Sequence, residues 1–146
     1  MSVIDVHQVI DISAPVSEVF KTITAYSKYP KFMLGVKKAK VQKKIDKNHA
    51  IVEYAVSLLG KEVSYVLNME AVSEKSLTWT LNKSKYLDTN NGGWRLTPKG
   101  KAQCSVEYSL VLGLPIPAPS FVINRGATTY VREMLDKFKT YCEASV

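Results

Sequence analysis

The chain predicts an α+β fold, in which one antiparallel sheet is closed by a long C-terminal helix. Three observations carry this reading. Apolar residues recur with period two through most of residues 36–112. Two turn signals, Gly60-Lys61 and Pro98-Lys99-Gly100, interrupt that pattern. After Ser120 the period becomes helical. Strands and helices that segregate along the chain favour α+β over a parallel α/β sheet.

Each element follows from its own pattern. Val3 to Ile12 alternates, with Ile4, Val6, Ile10 and Ile12 on one face and Asp5, His7 and Asp11 on the other. That is a half-buried strand. Pro15 opens a helix, where its missing N–H costs nothing. Val16, Val19, Phe20 and Ile23 form its apolar stripe, and Ser27 to Phe32 reads as a second short helix or turn. Val36 to Ile45 is a strand with Ala39, Val41 and Ile45 on one face and Lys38, Lys40 and Lys44 on the other.

The clearest hairpin joins Ala50–Leu59 to Glu62–Glu70. Pairing Leu59 with Glu62 puts Val52, Tyr54, Val56, Leu58, Val63, Tyr65, Leu67 and Met69 on one apolar face. A slip of one residue would invert that face, so the register is well specified. Leu77, Trp79 and Leu81 alternate on the next strand. Residues 86–97 and 102–112 form a second hairpin. Pairing Leu96 with Ala102 places Trp94, Cys104, Val106, Tyr108 and Leu110 inside. After a proline-rich connector, Ser120 to Cys142 is a helix with the stripe Ile123, Ala127, Val131, Met134 and Phe138.

Composition bounds the class. A chain of 146 residues, 46% hydrophobic and 23% charged, makes one ordinary globular domain. No apolar run approaches the roughly 20 residues of a membrane span, and the N-terminus lacks the basic and apolar regions of a signal peptide. A cytoplasmic location is expected, with Cys104 and Cys142 as buried thiols. The net charge is +7. Lys37, Lys38, Lys40, Lys43, Lys44 and Lys47 crowd the strand from Val36 to Ile45 and the turn that follows it. They protect a sheet edge, touch an anionic membrane or contact RNA. No aromatics interleave with them, which disfavours nucleic acid. DNA is not an expected partner.

Small residues suggest where a site lies. Gly126-Ala127-Thr128-Thr129 sits mid-helix, although glycine costs a helix about 1 kcal/mol relative to alanine. Asn90-Asn91-Gly92-Gly93 faces it from the sheet. Two readings stay open from the residues: an unfilled cavity, or a glycine bulge with a closely approaching helix. A cavity would be lined by Tyr54, Tyr65, Trp79, Asn90, Trp94, Tyr108, Ala127, Val131 and Met134, with Asn124 at its mouth. Asp88 is expected at the rim and Arg125 in solvent. Gate candidates are Met33-Leu34-Gly35 and Leu114-Pro115-Ile116-Pro117. His7 and His49 are expected away from the cavity, so neither a catalytic triad nor a metal site is expected. Tyrosines, Asp88 and Glu107 are the inward candidates for acid–base work, and no catalytic residue is assigned. No phosphate loop or other cofactor motif is present.

Ile12-Ser13-Ala14-Pro15-Val16-Ser17-Glu18-Val19-Phe20 and Tyr29-Pro30-Lys31-Phe32 resemble the START-like superfamily, also written SRPBCC. The similarity runs from Val3 to Cys142. Val36-Lys37-Lys38, Ala50 to Leu67 and Leu77-Thr78-Trp79 look most like its coenzyme Q-binding and polyketide cyclase/dehydratase branch. The resemblance implies a helix-grip fold, a curved seven-stranded antiparallel sheet around the last helix, and it favours the cavity. It implies a hollow, ligand-holding domain, and the leading reading is non-enzymatic binding of a hydrophobic small molecule, lipid or isoprenoid-quinone-like. A cyclase or dehydratase is the alternative, and a ribosome-associated, toxin-like interaction protein is the third reading.

Overall fold

The computed structural model describes residues 2–58, 60–114 and 120–144. Its elements, in chain order, are β1 (Ser2–Ile12), α1 (Val16–Ile23), α2 (Tyr29–Phe32), β2 (Val36–Lys44), β3 (His49–Leu58), β4 (Lys61–Val72), β5 (Ser76–Lys83), β6 (Thr89–Pro98), β7 (Cys104–Leu114) and α3 (Ser120–Ala144). A 3₁₀ turn over Tyr26–Lys28 leads into α2. The strands form one antiparallel sheet of seven, ordered β1-β7-β6-β5-β4-β3-β2. The α3 stripe Ile123, Ala127, Val131, Met134 and Phe138 is buried against it. This is the expected α+β helix-grip arrangement. No helix among the described residues is long and apolar enough to cross a membrane.

Both hairpins form with shifted registers. Leu58 pairs Lys61 and Tyr54 pairs Tyr65, so β3 and β4 sit two residues from the expected alignment. Leu96 pairs Val106 rather than Ala102, a shift of four. Both shifts are even, so every inward side chain stays inward. Burial of the apolar face fixes parity, while turn geometry fixes the remaining offset.

β2 departs further. Its register shifts between Val36 and Lys38 and again between Val41 and Lys43. The second irregularity re-aims the end of the strand, as bulges do. Lys44 pairs Ala50, whereas Lys38 pairs Ala55 and Lys40 pairs Glu53. Lys44 therefore lies on the opposite face from Lys38 and Lys40, contrary to the plain alternation. All three are exposed, as are Val41 and Ile45 at 38% and 56%.

The turn after α1 is pinned from inside, because the Tyr29 hydroxyl donates to the Ile23 carbonyl. Cys104 and Cys142 are free and buried. Burial pushes their thiols up, to about 11 and about 12.

Candidate ligand cavity

A cavity of about 120 Å³ lies between the sheet and α3. Tyr54, Tyr65, Trp79, Asn90, Trp94 and Tyr108 line it from the sheet, and Ala127, Val131 and Met134 from the helix. Nine of the ten residues read from the sequence as lining therefore meet around one space. The tenth, Asn124, lies elsewhere. Its Oδ1 accepts from the Asp5 N–H at 2.8 Å and its Nδ2 donates to the Val3 carbonyl at 3.1 Å. It fastens α3 to the edge strand β1.

The reason for the cavity differs from the expected one. Gly126, Thr128 and Thr129 are exposed, and a side chain at Gly126 would meet nothing. Only Ala127 of that segment faces the sheet. Gly92 does not leave a void either. It pairs Trp79 across the strands, and a Cβ there would collide with the indole and with the Ser109 carbonyl. Glycine at 92 lets the Trp79 ring lie flat on the sheet, the inverse of filling space.

Aromatic rings form a continuous series of contacts, most of them in the cavity wall. Tyr65, Tyr54 and Tyr29 follow one another at centroid separations of 5.8 and 5.7 Å. Phe32 and Phe138, outside the cavity lining, continue the chain of rings at 5.4 and 6.0 Å. Trp94, Tyr108 and Trp79 complete it at 5.0, 4.8 and 5.9 Å. These separations are those of favourable edge and offset ring contacts. Leu67, Met69, Leu110 and Leu112 fill the remaining wall.

The polar groups of the wall are neutral at pH 7. Burial raises the phenols of Tyr29, Tyr54, Tyr65 and Tyr108 above the ordinary tyrosine range. Asn90, 2% exposed, accepts the Trp79 indole N–H at 2.9 Å. Asp88 is exposed beside the chain end of β7. Glu107 is on the outer face, 3.0 Å from His7 and 3.6 Å from Arg95. It is not an inward acid.

One gate candidate borders the cavity. Met33 and Leu34 line it, and Gly35 follows at φ 82°. Leu114 is instead a buried strand residue paired with Ser2, while residues 115–119, with Ile116, lie outside the described residues. Tyr130, absent from the sequence reading, also lines the space and bonds to this loop. Its signal was its spacing, three after Ala127 and four before Met134.

A second cleft of about 440 Å³ lies near the β2–β3 turn. Its walls include exposed Lys44, Asp46 and Lys47. His49 there joins Asp46 at 2.9 Å and Glu70 at 2.8 Å.

A family model described as polyketide cyclase/dehydrase and lipid transport matches residues 3–143. The chain belongs to this family. Solved structures agree on the fold. A START superfamily protein from Mycobacterium smegmatis superposes with a TM-score of 0.87 at 11% identity, over 97% of this chain and 99% of that one. A protein from Thermus thermophilus gives 0.81 at 17% identity, over 97% and 98%. The Zhui aromatase/cyclase from Streptomyces sp. R1128 gives 0.70 at 10% identity, over 97% and 90%. No curated protein sequence matches the chain. Membership in the family accounts for the conjunction of curved sheet, α3 and interior space.

Proposed function

We propose that this protein binds a hydrophobic small molecule in the space between sheet and α3 and does not transform it. The observation that carries the reading is the cavity wall, made of aromatic rings and aliphatic side chains with few, neutral polar groups. Small-molecule sites have this make-up. Apolar ligand surface buried there contributes roughly 25 cal/mol per Å².

Size limits what enters. An apolar cavity of about 150 Å³ accommodates benzene, so at about 120 Å³ this space takes a single ring only with a small displacement of its walls. Sites for drug-sized ligands run from about 300 Å³ upward. A lipid or isoprenoid-quinone-like molecule then places its head inside, and its tail leaves beside Met33-Leu34-Gly35. Native mass spectrometry of freshly purified protein, with titration of a fluorescent fatty-acid probe, tests the reading. A co-purified apolar molecule, or probe binding lost in Ala127→Phe, supports it. Failure of the folded protein to bind any apolar probe overturns it.

A cyclase or dehydratase reading draws on the same phenols, which can donate hydrogen bonds to an enolate. Tyrosine is a weak base near neutral pH, and burial raises these phenols further. Accelerated ring closure of a poly-β-ketone substrate, lost on replacing Tyr65 and Tyr108 with Phe, would favour that alternative.

A further inference from the structure

The second cleft, of about 440 Å³, lies between the end of α1 and the β2–β3 turn. Its size falls in the range of small-molecule sites, about 300–1,000 Å³. Phe20, Tyr26 and Val41 give it an apolar surface, and the small side chains of Ala25, Ala50 and Ala71 leave the space open. The irregularity in β2 between Val41 and Lys43 decides which charge faces it. By plain alternation Lys44 would share the outer face with Lys38 and Lys40. Instead Lys44 pairs Ala50 and lines the cleft together with Val41. Bulges re-aim side chains in this way and are enriched beside functional sites. Lys47 lines the same cleft from the turn.

The negative groups nearby are already engaged. Asp46 Oδ1 accepts the Asn48 and His49 backbone N–H groups at 2.7 and 2.8 Å and meets the His49 ring at 2.9 Å. The other ring nitrogen meets Glu70 at 2.8 Å. The carbonyl end of α1 is answered as well. Phe20 and Thr22 accept the Thr24 and Ala25 N–H groups, and Ile23 accepts the Tyr29 hydroxyl. Lys44 and Lys47 have no ion pair among the described residues. Two ammonium groups without a counter-charge therefore border an apolar surface.

We propose that this cleft is a second ligand site, separate from the cavity between sheet and α3, and that it holds an amphiphilic molecule bearing a phosphate monoester. Two unpaired ammonium groups match the charge of a phosphate monoester, which approaches two at neutral pH, and lysine binds phosphate as a point charge. Phe20, Tyr26 and Val41 cover the apolar part. A soluble phosphate ester and a lipid headgroup share this chemistry.

The test titrates the ¹⁵N-labelled full chain with hexyl phosphate at about pH 7, where the probe is close to a dianion. The backbone amides of Ala25, Ala50 and Ala71 should shift, and the indole N–H resonances of Trp79 and Trp94, which line the other cavity, should not. Hexanol, which lacks the charge, should bind at least about tenfold more weakly. Lys44→Gln combined with Lys47→Gln should weaken hexyl phosphate about tenfold, the loss of two exposed charge contacts. Lys38→Gln combined with Lys40→Gln, on the outer face, should stay within about twofold. Equal binding of hexanol overturns the proposal, as does unchanged affinity in the folded Lys44 and Lys47 variant. An equal loss in the Lys38 and Lys40 variant overturns it too, since the probe would then be reading net charge alone. Shifts confined to the two indoles would place the probe in the other cavity and end the idea of a second site. Co-sedimentation with phosphatidylcholine vesicles carrying phosphatidic acid separates the two sources. Capture that is lost in the Lys44 and Lys47 variant assigns the site to a lipid headgroup, and binding of hexyl phosphate without capture assigns it to a soluble ester.

Discussion

The Tyr130 hydroxyl donates to the Leu34 carbonyl at 2.6 Å, joining α3 to the loop between α2 and β2. The same loop is held from the sheet, because the Ser57 N–H donates to the Gly35 carbonyl at 2.8 Å. Gly35 sits at φ 82°, where a side chain would be strained and would run into the Tyr130 hydroxyl. The loop that borders the cavity is therefore held by one phenol from α3 and one N–H from the sheet. Tyr130→Phe leaves the Leu34 carbonyl unpaired and should cost about 1 kcal/mol of stability. It should also speed probe release from the cavity, read by stopped-flow displacement. An unchanged release rate would remove Met33-Leu34-Gly35 as the gate.

Ala127 is the single small side chain of the α3 stripe that lines the cavity. Ala127→Phe should fill that space and lower apolar-probe affinity at least tenfold. The fold should survive, since the added ring enters a void rather than a packed core. Circular dichroism with probe titration checks both halves. An unfolded Ala127→Phe would mean that no usable space exists at that level.

Phe138 is fully buried between Phe32 and Trp94, at centroid distances of 6.0 and 5.0 Å. Truncation removes the ring that joins the two halves of the aromatic series. Phe138→Ala should cost about 3–5 kcal/mol in urea titration. A cost under about 1 kcal/mol would contradict this packing.

Much of this was legible in the chain because burial writes parity into a strand. Tyr54, Tyr65, Asn90, Trp94 and Tyr108 could be placed although both hairpin registers were shifted, since shifts of two and four leave each face unchanged. What stayed illegible depends on contacts distant in sequence. Asn124 reads as a residue near a helix start, yet its amide bonds Val3 and Asp5, more than a hundred residues away. Gly92 reads as missing bulk, and only the position of Trp79 across the sheet makes it a seat for a ring. A lysine-rich strand has no apolar face strong enough to announce a bulge, so the reversal of Lys44 was hidden.

His49 bridges Asp46 and Glu70 in the turn beside the second cleft. The hydrogen bonds to Asp46 first, and then to Glu70, raise its pKa above 6.5. Asp46 is lowered from 3.8, chiefly by the same bond to His49. For His49 the folded pKa exceeds the unfolded one. Its contribution is therefore fully present below the unfolded value and fades as pH rises through the folded value. For Asp46 the contribution is present above the unfolded value and is lost as pH falls. Histidine NMR should place the His49 midpoint above 6.5. The stability gap between the unaltered protein and His49→Gln should be widest near about pH 5–6 and narrow by about pH 9.

The lysines of β2 act outside the cavity. Lys38 and Lys40 pair Ala55 and Glu53, on the sheet face away from Tyr54 and Val52, and both are exposed. Exposed charges of this kind contribute little to stability. Changing both to Glu should therefore alter urea stability by less than about 0.5 kcal/mol and leave apolar-probe affinity unchanged. A large loss of either would place these side chains in contact with the core or the cavity. Co-sedimentation with vesicles of anionic lipid distinguishes the remaining roles. If β2 docks on such a surface, the double change should weaken binding by about 1 kcal/mol per lysine. If the unaltered protein ignores the vesicles at low salt, the charges serve to keep an edge strand from pairing with another chain.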